Sequence, residues 1–114
     1  MGTERAPGQI VTVFRSRLRA DAGPDYVTTA DLMLTTARSM PGFVDFKSFT
    51  ADDGERVSII TFDSLPAHRA WRDNPDHQAA QRRGREAFYA TYTIQVAECL
   101  SVRQFNGGES DLAR

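Results

Sequence analysis

Cysteine and lysine are nearly absent from this sequence. Cys99 is the only cysteine among the 114 residues, which excludes an intramolecular disulfide and any zinc or iron–sulfur site built from several cysteines of one chain. Lys47 is the only lysine, the other basic residues are arginines interspersed with acids, and the formal net charge is -1. Because neither sign of charge dominates, we expect no nucleic-acid partner.

Long apolar runs are missing too. No stretch approaches the roughly 18 consecutive apolar residues of a membrane span, and residues 1–8 (MGTERAPG) lack the apolar run of a secretory signal. We therefore expect a cytoplasmic protein that does not engage a membrane. The sequence also contains no GxGxxG, P-loop, HExxH or GxSxG motif, so nucleotide, zinc and acyl-transfer chemistry have no support, and we predict no metal site.

The chain begins with a strand pattern followed by a helix pattern. Residues 9–19 (QIVTVFRSRLR) are rich in β-branched and aromatic residues and carry apolar side chains on both alternating faces, which predicts a strand covered on both sides. Across residues 26–40 apolar side chains recur at steps of three and four, which predicts an amphipathic helix. Asp25 is the predicted N-cap of this helix, and the Pro-Gly pair at 41–42 is its predicted end.

A hairpin and a second helical region follow. Residues 42–51 and 55–63 are two β-rich runs separated by the turn sequence 52–54 (DDG), in which glycine supplies the positive φ of a tight antiparallel hairpin. Ser64 is predicted to cap a helix that runs through Trp71, with proline in its first turn.

The second helical region is predicted to be broken and then followed by a last strand. Asn74 and Pro75 can cap a new helical segment that runs from residue 76 to about residue 89. Residues 92–105 alternate apolar and polar side chains, which predicts a fourth strand.

The order of these elements predicts the fold class. A βαββαβ order over residues 9–105 is typical of an α+β, ferredoxin-like domain in which two helical regions cover one face of a four-stranded antiparallel sheet. Residues 1–8 are predicted to be a disordered N-terminal segment and residues 106–114 a polar C-terminal tail. Because the strands carry apolar side chains on both faces, we expect a second copy of the chain to cover the face that the helices leave open.

The chain also resembles a known family. Residues 41–55 (PGFVDFKSFTADDGE), the strand end 62–64 (FDS) and residues 70–89 (AWRDNPDHQAAQRRGREAFY) resemble the antibiotic-biosynthesis-monooxygenase family of dimeric α+β barrel proteins. The resemblance covers about residues 9–105 and implies a homodimer formed through the sheet face. It also implies a small-molecule ligand inside each monomer, between the helices and the sheet. Members of this family include cofactor-free monooxygenases that oxidise anthrone-like aromatic polyketides to quinones, haem-degrading oxygenases and small quinol monooxygenases.

The resemblance implies a cavity walled by the first helix, the third strand and the second helical region. The implied lining residues are Met33, Ala37, Met40, Phe62, Trp71, His77 and Phe88. A cofactor-free oxygenase needs a base, a flat apolar slot and a polar group that stabilises an oxyanion. The candidate bases are His77 and His68, with Trp71 and Gln81 as further binding groups. His77 follows a predicted cap, so we expect the helix N-terminus to lower its pKa.

Two subgroups of the family can be compared with this chain position by position. Haem-degrading members use an Asn on the first strand, a Trp on the second helix and a His further on as the iron ligand. This sequence has Trp71, no Asn within residues 9–19, and Gln81 at the ligand position. Glutamine cannot replace a neutral imidazole on haem iron, so haem cleavage is disfavoured, and His77 is the remaining candidate ligand.

Anthrone-oxidising members use an Asn and a Trp along the third strand and a Tyr on the following helix. The matching positions here are Ser58, Phe62 and His68, and all three differ. Three functional hypotheses therefore stand. The first is a cofactor-independent monooxygenase that acts on a small aromatic or polyketide-type substrate with molecular oxygen as co-substrate. The second is a non-oxidative ligand-binding or cyclase-like dimer of secondary metabolism. The third, least supported, is a haem-binding or haem-degrading protein.

Overall fold

The computed structural model describes residues 4–107. In this part of the chain four strands and three helices follow one another in the predicted βαββαβ order, with the second helical region divided. They are β1 (Ile10–Leu18), α1 (Asp25–Ser39), β2 (Phe43–Thr50), β3 (Arg56–Phe62), α2 (Leu65–Arg72), α3 (Pro75–Arg83) and β4 (Tyr89–Glu98). A π-helical turn, Gly84–Phe88, joins α3 to β4. The predicted terminal segments lie in part outside the described residues, at 1–3 and 108–114.

The four strands form one antiparallel sheet in the order β2-β3-β1-β4, which confirms the predicted ferredoxin-like class. Since side chains alternate between faces, residues that are paired across strands share a face. Three rows on the helix-facing side are Ser58–Phe14–Ile94, Ile60–Thr12–Val96 and Arg56–Ser16–Tyr92. The core beneath the helices is a cluster of Ala37, Ile60, Phe62 and Trp71.

The start of α1 differs from the prediction. Pro24 is the N-cap and already has helical dihedral angles, φ -71° and ψ -22°, and no side chain caps this end. Asp25 is therefore the first helical residue rather than the cap, and its carboxylate accepts a hydrogen bond of 2.9 Å from Arg83 Nη2. The end of the helix is as predicted, because Met40 is extended and Gly42 has a φ of +84°.

Both caps predicted in the second helical region are confirmed. The Ser64 hydroxyl accepts from the Ala67 N–H at 3.2 Å, and Asn74 Oδ1 accepts from the Asp76 and His77 N–H groups at 2.8 and 3.2 Å. Each cap satisfies N–H groups that have no partner within the helix. Because Asn74 caps a new helix directly after α2, the chain changes direction between Arg72 and Pro75 and α3 begins beside the end of α2.

The last strand was predicted too late. It begins at Tyr89 rather than at residue 92 and ends at Glu98 rather than at residue 105. The helical region ends at Phe88, close to the predicted residue 89, and Tyr89 already pairs with Leu18 of β1, after a register shift. Leu100 and Phe105, which were predicted to belong to the strand, lie beyond it and are 86% and 88% exposed.

The helices cover only one of the two faces of the sheet. Val11 and Val13 of β1 and Ile59 of β3 lie on the other face, together with Phe49, which is 48% exposed. Among residues 4–107, none of the helices has the length and apolar character needed to span a bilayer.

Candidate active site

A cavity of about 660 Å³ lies between the helix-facing side of the sheet and the three helices. Pockets of roughly 300–1,000 Å³ are typical of small-molecule sites. Its floor is formed by alternating residues of the four strands, and its walls by α1, α2, α3 and the π-helical turn. It is open along β4, where the lining residues Ile94 and Val96 are 39% and 50% exposed.

Most of the residues predicted for the site contribute to the wall of this cavity. They are Met33, Ser58, His68, Trp71, His77, Gln81 and Phe88. Ala37, Met40 and Phe62 do not line it and belong to the adjoining core. The Phe62 ring contacts the rings of Phe43 and Trp71, with centroids 5.9 and 5.3 Å apart, and is 1% exposed. These three residues support the wall from behind.

The centre of the helical wall is a stacked pair of rings. The imidazole of His77 lies 4.2 Å from the indole of Trp71, with 21° between the ring planes. The helix break at Asn74 makes this contact possible, because it returns the first turn of α3 to the end of α2. His77 Nδ1 lies 3.3 Å from the carbonyl oxygen of Arg72. A carbonyl can only accept, so Nδ1 carries the proton of the neutral ring and Nε2 retains its lone pair.

Both histidines are held in their neutral form. His68 and His77 are each only 4% exposed. Burial is the largest cause of a lowered pKa at each ring, and the Arg72 and Arg69 charges lower the pKa of His68 further. The direction of the His77 shift agrees with the prediction, but its main cause is desolvation by burial rather than the helix N-terminus. A neutral, desolvated imidazole is suited to accept a proton.

Three buried polar atoms around the cavity have no hydrogen-bond partner among residues 4–107. They are Thr12 Oγ1, His68 Nδ1 and Trp71 Nε1, and all three residues line the cavity. A buried polar group without a partner costs about 1–3 kcal/mol. The indole nitrogen can only donate, whereas the hydroxyl and the imidazole nitrogen adapt to their partner. This end of the cavity is therefore chemically matched to a ligand that carries an oxygen acceptor.

The opposite end of the cavity is built from tyrosines, none of which was predicted to belong to the site. All three tyrosines of the chain, Tyr26, Tyr89 and Tyr92, line it together with Arg56. Tyr89 and Tyr92 flank Phe14, with ring centroids 5.3 and 5.4 Å away. Burial raises the pKa of Tyr89 to about 12, so its hydroxyl stays protonated at neutral pH. The alternation of Tyr92, Ile94 and Val96 in β4 was the sequence signal for this wall.

Gly84 allows this tyrosine wall to form. A Cβ atom at position 84 would lie 2.5 Å from Cε2 of Tyr89, a distance at which one of the two groups has to move. Glycine therefore lets the Tyr89 ring pack directly against the π-helical turn. Such turns occur often at functional sites.

The donor set does not favour a resident metal or haem. No group of three or more His, Cys, Asp or Glu side chains that could hold a metal ion occurs among residues 4–107. Gln81 lies in the cavity wall, at the position where the resemblance places a haem ligand, and its carboxamide is not an iron ligand. His77 Nε2, which retains its lone pair, is the remaining candidate iron ligand in this wall.

Comparisons with known proteins agree with this architecture. The sequence model described as "Antibiotic biosynthesis monooxygenase" matches residues 9–83. The uncharacterized protein YqjZ of Bacillus subtilis (strain 168) is 31% identical over 99 residues, which cover 87% of each chain.

Two solved structures show the same fold. Rv0793 from Mycobacterium tuberculosis superposes with a TM-score of 0.74 at 21% identity, covering 84% of this chain and 99% of that one. SnoaB from Streptomyces nogalater, described as a cofactor-independent oxygenase, superposes with a TM-score of 0.69 at 16% identity, covering 90% of this chain and 99% of that one. From the sequence match and the curated relative, the chain belongs to the antibiotic biosynthesis monooxygenase family.

Proposed function

We propose that this protein is a cofactor-independent monooxygenase that oxidises a small aromatic or polyketide-type substrate with molecular oxygen. The observation that carries the proposal is the apolar cavity of about 660 Å³ in which neutral, buried His77 stacks on Trp71. Membership of the family supports a monooxygenase activity. SnoaB, which has the same fold, is described as a cofactor-independent oxygenase and supports the absence of a cofactor.

His77 is the proposed base. With its Nδ1 proton directed at the Arg72 carbonyl, Nε2 can take a proton from an activated CH₂ group or phenol of the substrate. The resulting anion is delocalised over the aromatic rings and can transfer one electron to O₂. Recombination of the substrate radical with superoxide forms a C–O bond, and the proton held by His77 returns to the peroxide oxygen to give a hydroperoxide. For an anthrone-like CH₂ group, loss of water from the hydroperoxide gives the quinone, so R₂CH₂ + O₂ yields R₂C=O + H₂O.

The unpartnered polar atoms have a role in the same scheme. Negative charge develops on a substrate oxygen when the proton leaves, and the Trp71 N–H is a buried donor without an acceptor in the described protein. A preorganised donor in a dry site stabilises such an oxyanion more strongly than water does. His68, whose Nδ1 is also unpartnered, is the second candidate for a polar contact or a proton transfer.

We further infer that the working form is a homodimer in which the second copy covers the open face of the sheet. The supporting observation is the row of apolar residues on that face, Val11, Val13, Ile59 and the half-exposed Phe49. An obligate interface of this kind buries on the order of 2,000 Å² or more. Sedimentation equilibrium of the wild type and of a Val13→Glu variant tests it: a monomeric wild type would contradict the inference.

The proposed activity is tested by oxygen consumption. Purified protein without added metal or flavin is mixed with anthrone and related phenols, and dissolved O₂ and quinone are followed together. We expect one O₂ consumed per quinone formed, and a fall in kcat of about 100-fold or more for His77→Gln, the usual effect of losing a general base. Arg38→Gln, an exposed substitution on α1 outside the cavity wall, is the control and should keep wild-type activity.

One observation favours the non-oxidative alternative. Anthrone-oxidising relatives use Asn at the position of Ser58. The Ser58 hydroxyl is already hydrogen-bonded to the Ser48 hydroxyl at 2.7 Å, so it has fewer hydrogen bonds to give a ligand than a carboxamide would. Tight ligand binding without O₂ uptake, with an isomer as product, would replace the oxygenase proposal by a cyclase-like role.

A further inference from the structure

We propose that the ligand of this cavity is an aromatic carboxylic acid whose carboxylate is bound by Arg56, at the end opposite the histidines. This inference rests on the proposed function and deepens it by naming the substrate class. It depends on the charges, the ring contacts and the strand register at that end of the cavity.

Arg56 is a cation in the cavity wall without an acidic partner in the described part of the chain. The other arginine of the wall, Arg72, is paired with Asp73, with 3.0 Å between Nε and Oδ1. The Arg56 side chain makes no ion pair and no hydrogen bond with any residue from 4 to 107, and Asp31, the carboxylate among the lining residues, is not within ion-pair distance of it. A half-buried guanidinium next to apolar surface favours an anion as its partner.

The Arg56 side chain is held in place by an aromatic contact. Its guanidinium carbon lies 5.5 Å from the centroid of the Tyr26 ring, within the range of a cation–π interaction. A guanidinium held over a ring keeps its N–H groups for a second partner, and their fork matches the two oxygens of a carboxylate. The contact with Tyr26 therefore orients Arg56 without using its hydrogen-bonding capacity.

Hydroxyl groups surround the same position. Arg56 pairs with Ser16 in the sheet register, and Ser16 pairs with Tyr92 on the other side. The Tyr89 hydroxyl, protonated at neutral pH because burial raises its pKa to about 12, is a donor rather than a competing anion. A carboxylate at this end would therefore meet the Arg56 charge and neutral hydroxyl donors, with the Arg85 guanidinium 3.3 Å behind the Tyr92 hydroxyl.

The strand register also sets the length of the ligand. Arg56 and Ile60 are four residues apart on β3 and face the same side, and Ile60 pairs with Thr12, whose hydroxyl belongs to the unpartnered set near the histidines. At about 3.3 Å per residue, the two ends are about 13 Å apart. This separation suits a fused ring system of two or three rings, with the carboxylate at Arg56 and the reacting carbon near His77.

The experiment compares carboxylates with their neutral amides. Isothermal titration calorimetry measures the binding of benzoate, 2-naphthoate and anthracene-2-carboxylate, and of the three matching carboxamides, to the full chain. We expect wild-type protein to bind the naphthoate or anthracene acid about tenfold more tightly than its amide, the usual effect of one charge-assisted hydrogen bond. The preference should disappear in Arg56→Gln, remain in part in Arg56→Lys, and persist in Arg38→Gln.

The outcomes separate the two proposals. If acids and amides bind equally well to wild type, or if Arg56→Gln keeps the wild-type preference, the carboxylate inference is wrong and the oxygenase proposal stands. If no acid or amide of any ring size binds, the carboxylate inference is wrong, and oxygen consumption with anthrones decides the oxygenase proposal separately. Thermal unfolding of each variant is measured in parallel, and Arg56→Lys supplies the test if Arg56→Gln does not fold.

Discussion

The two ends of the cavity differ in how they obtain their chemical properties. At the histidine end, His68, Trp71 and His77 are almost fully buried, and their properties follow from the loss of water: lowered pKa values and nitrogens without partners. At the tyrosine end, Arg56 and the three tyrosines are only half-buried and carry a charge and hydroxyl groups toward a more open space. The first end is suited to proton transfer and the second to recognition, so turnover and affinity should respond to different residues.

The elements that carry the two ends explain the difference. The histidine end is formed by α2 and α3, whose caps at Ser64 and Asn74 place both histidines and Trp71 against the core. The tyrosine end is formed where β3, β1 and β4 leave the cover of these helices. Burial therefore decreases along the cavity from one end to the other.

The largest expected effect is on stability at the histidine end. Trp71→Ala removes a buried ring that contacts Phe62 and His77 and should lower the free energy of unfolding by about 3–5 kcal/mol. Tyr92→Leu, which removes a half-buried ring at the other end, should cost about 1 kcal/mol. Urea denaturation measures both. Equal losses would contradict the difference in burial, and Trp71→Phe serves if the alanine variant does not fold.

A smaller effect is expected at the tyrosine end, where Gly84→Ala places a methyl group against Tyr89. We expect a loss of about 1–3 kcal/mol from overpacking, which outweighs the gain of roughly 1 kcal/mol that alanine brings in helical conformation. Ligand affinity should fall with it, because the displaced ring enters the cavity. The double variant Gly84→Ala/Tyr89→Leu should recover stability. A Gly84→Ala variant that is more stable than wild type would show that the Tyr89 ring can move aside without loss of stability.

The smallest expected effect is a pH dependence of stability that differs between the two ends. The folded-state pKa values of His68 and His77 are lowered below 6.5, so their stabilisation is complete above pH 6.5 and is lost as the pH falls through the folded values. Tyr89 behaves in the opposite way. Its pKa is raised from 10.0 to about 12, so its stabilisation is complete below pH 10 and is lost as the pH rises toward 12.

Denaturation curves measured across the pH range test these two opposite pH dependences of the free energy of unfolding. The variant His68→Gln/His77→Gln should show a flatter acid limb than wild type, and Tyr89→Phe a flatter alkaline limb. If both variants keep the wild-type dependence of the free energy of unfolding on pH, the pKa values of these buried rings are not shifted by folding.

Much of the fold could be predicted from the sequence because it is encoded locally. The alternation in β1, the three- and four-residue steps in α1 and the caps at Ser64 and Asn74 each depend on neighbouring residues. The errors occurred where two local signals competed. Pro24 took the cap position expected of Asp25, and β4 begins at Tyr89, directly after the π-helical turn, rather than at residue 92.

The site could be predicted only in part, for a physical reason. Helical periodicity identifies the face of α1 that carries Met33, Ala37 and Met40, but it does not tell a cavity wall from the core beside it, and only Met33 lines the cavity. The tyrosine end unites Tyr26 from α1 with Arg56 from β3, which are far apart in the chain. A cluster of this kind depends on strand register and leaves no local pattern.

The π-helical turn Gly84–Phe88 is the point at which a change in chain length would alter the cavity of this protein. Because strand side chains alternate, a deletion of one residue here would shift β4 by one position against β1 and reverse the faces of all its side chains. Tyr92, Ile94 and Val96 would then leave the cavity, and Thr93, Gln95 and Ala97 would replace them. A single codon gained or lost at this turn could therefore convert an apolar wall into a polar one without any substitution.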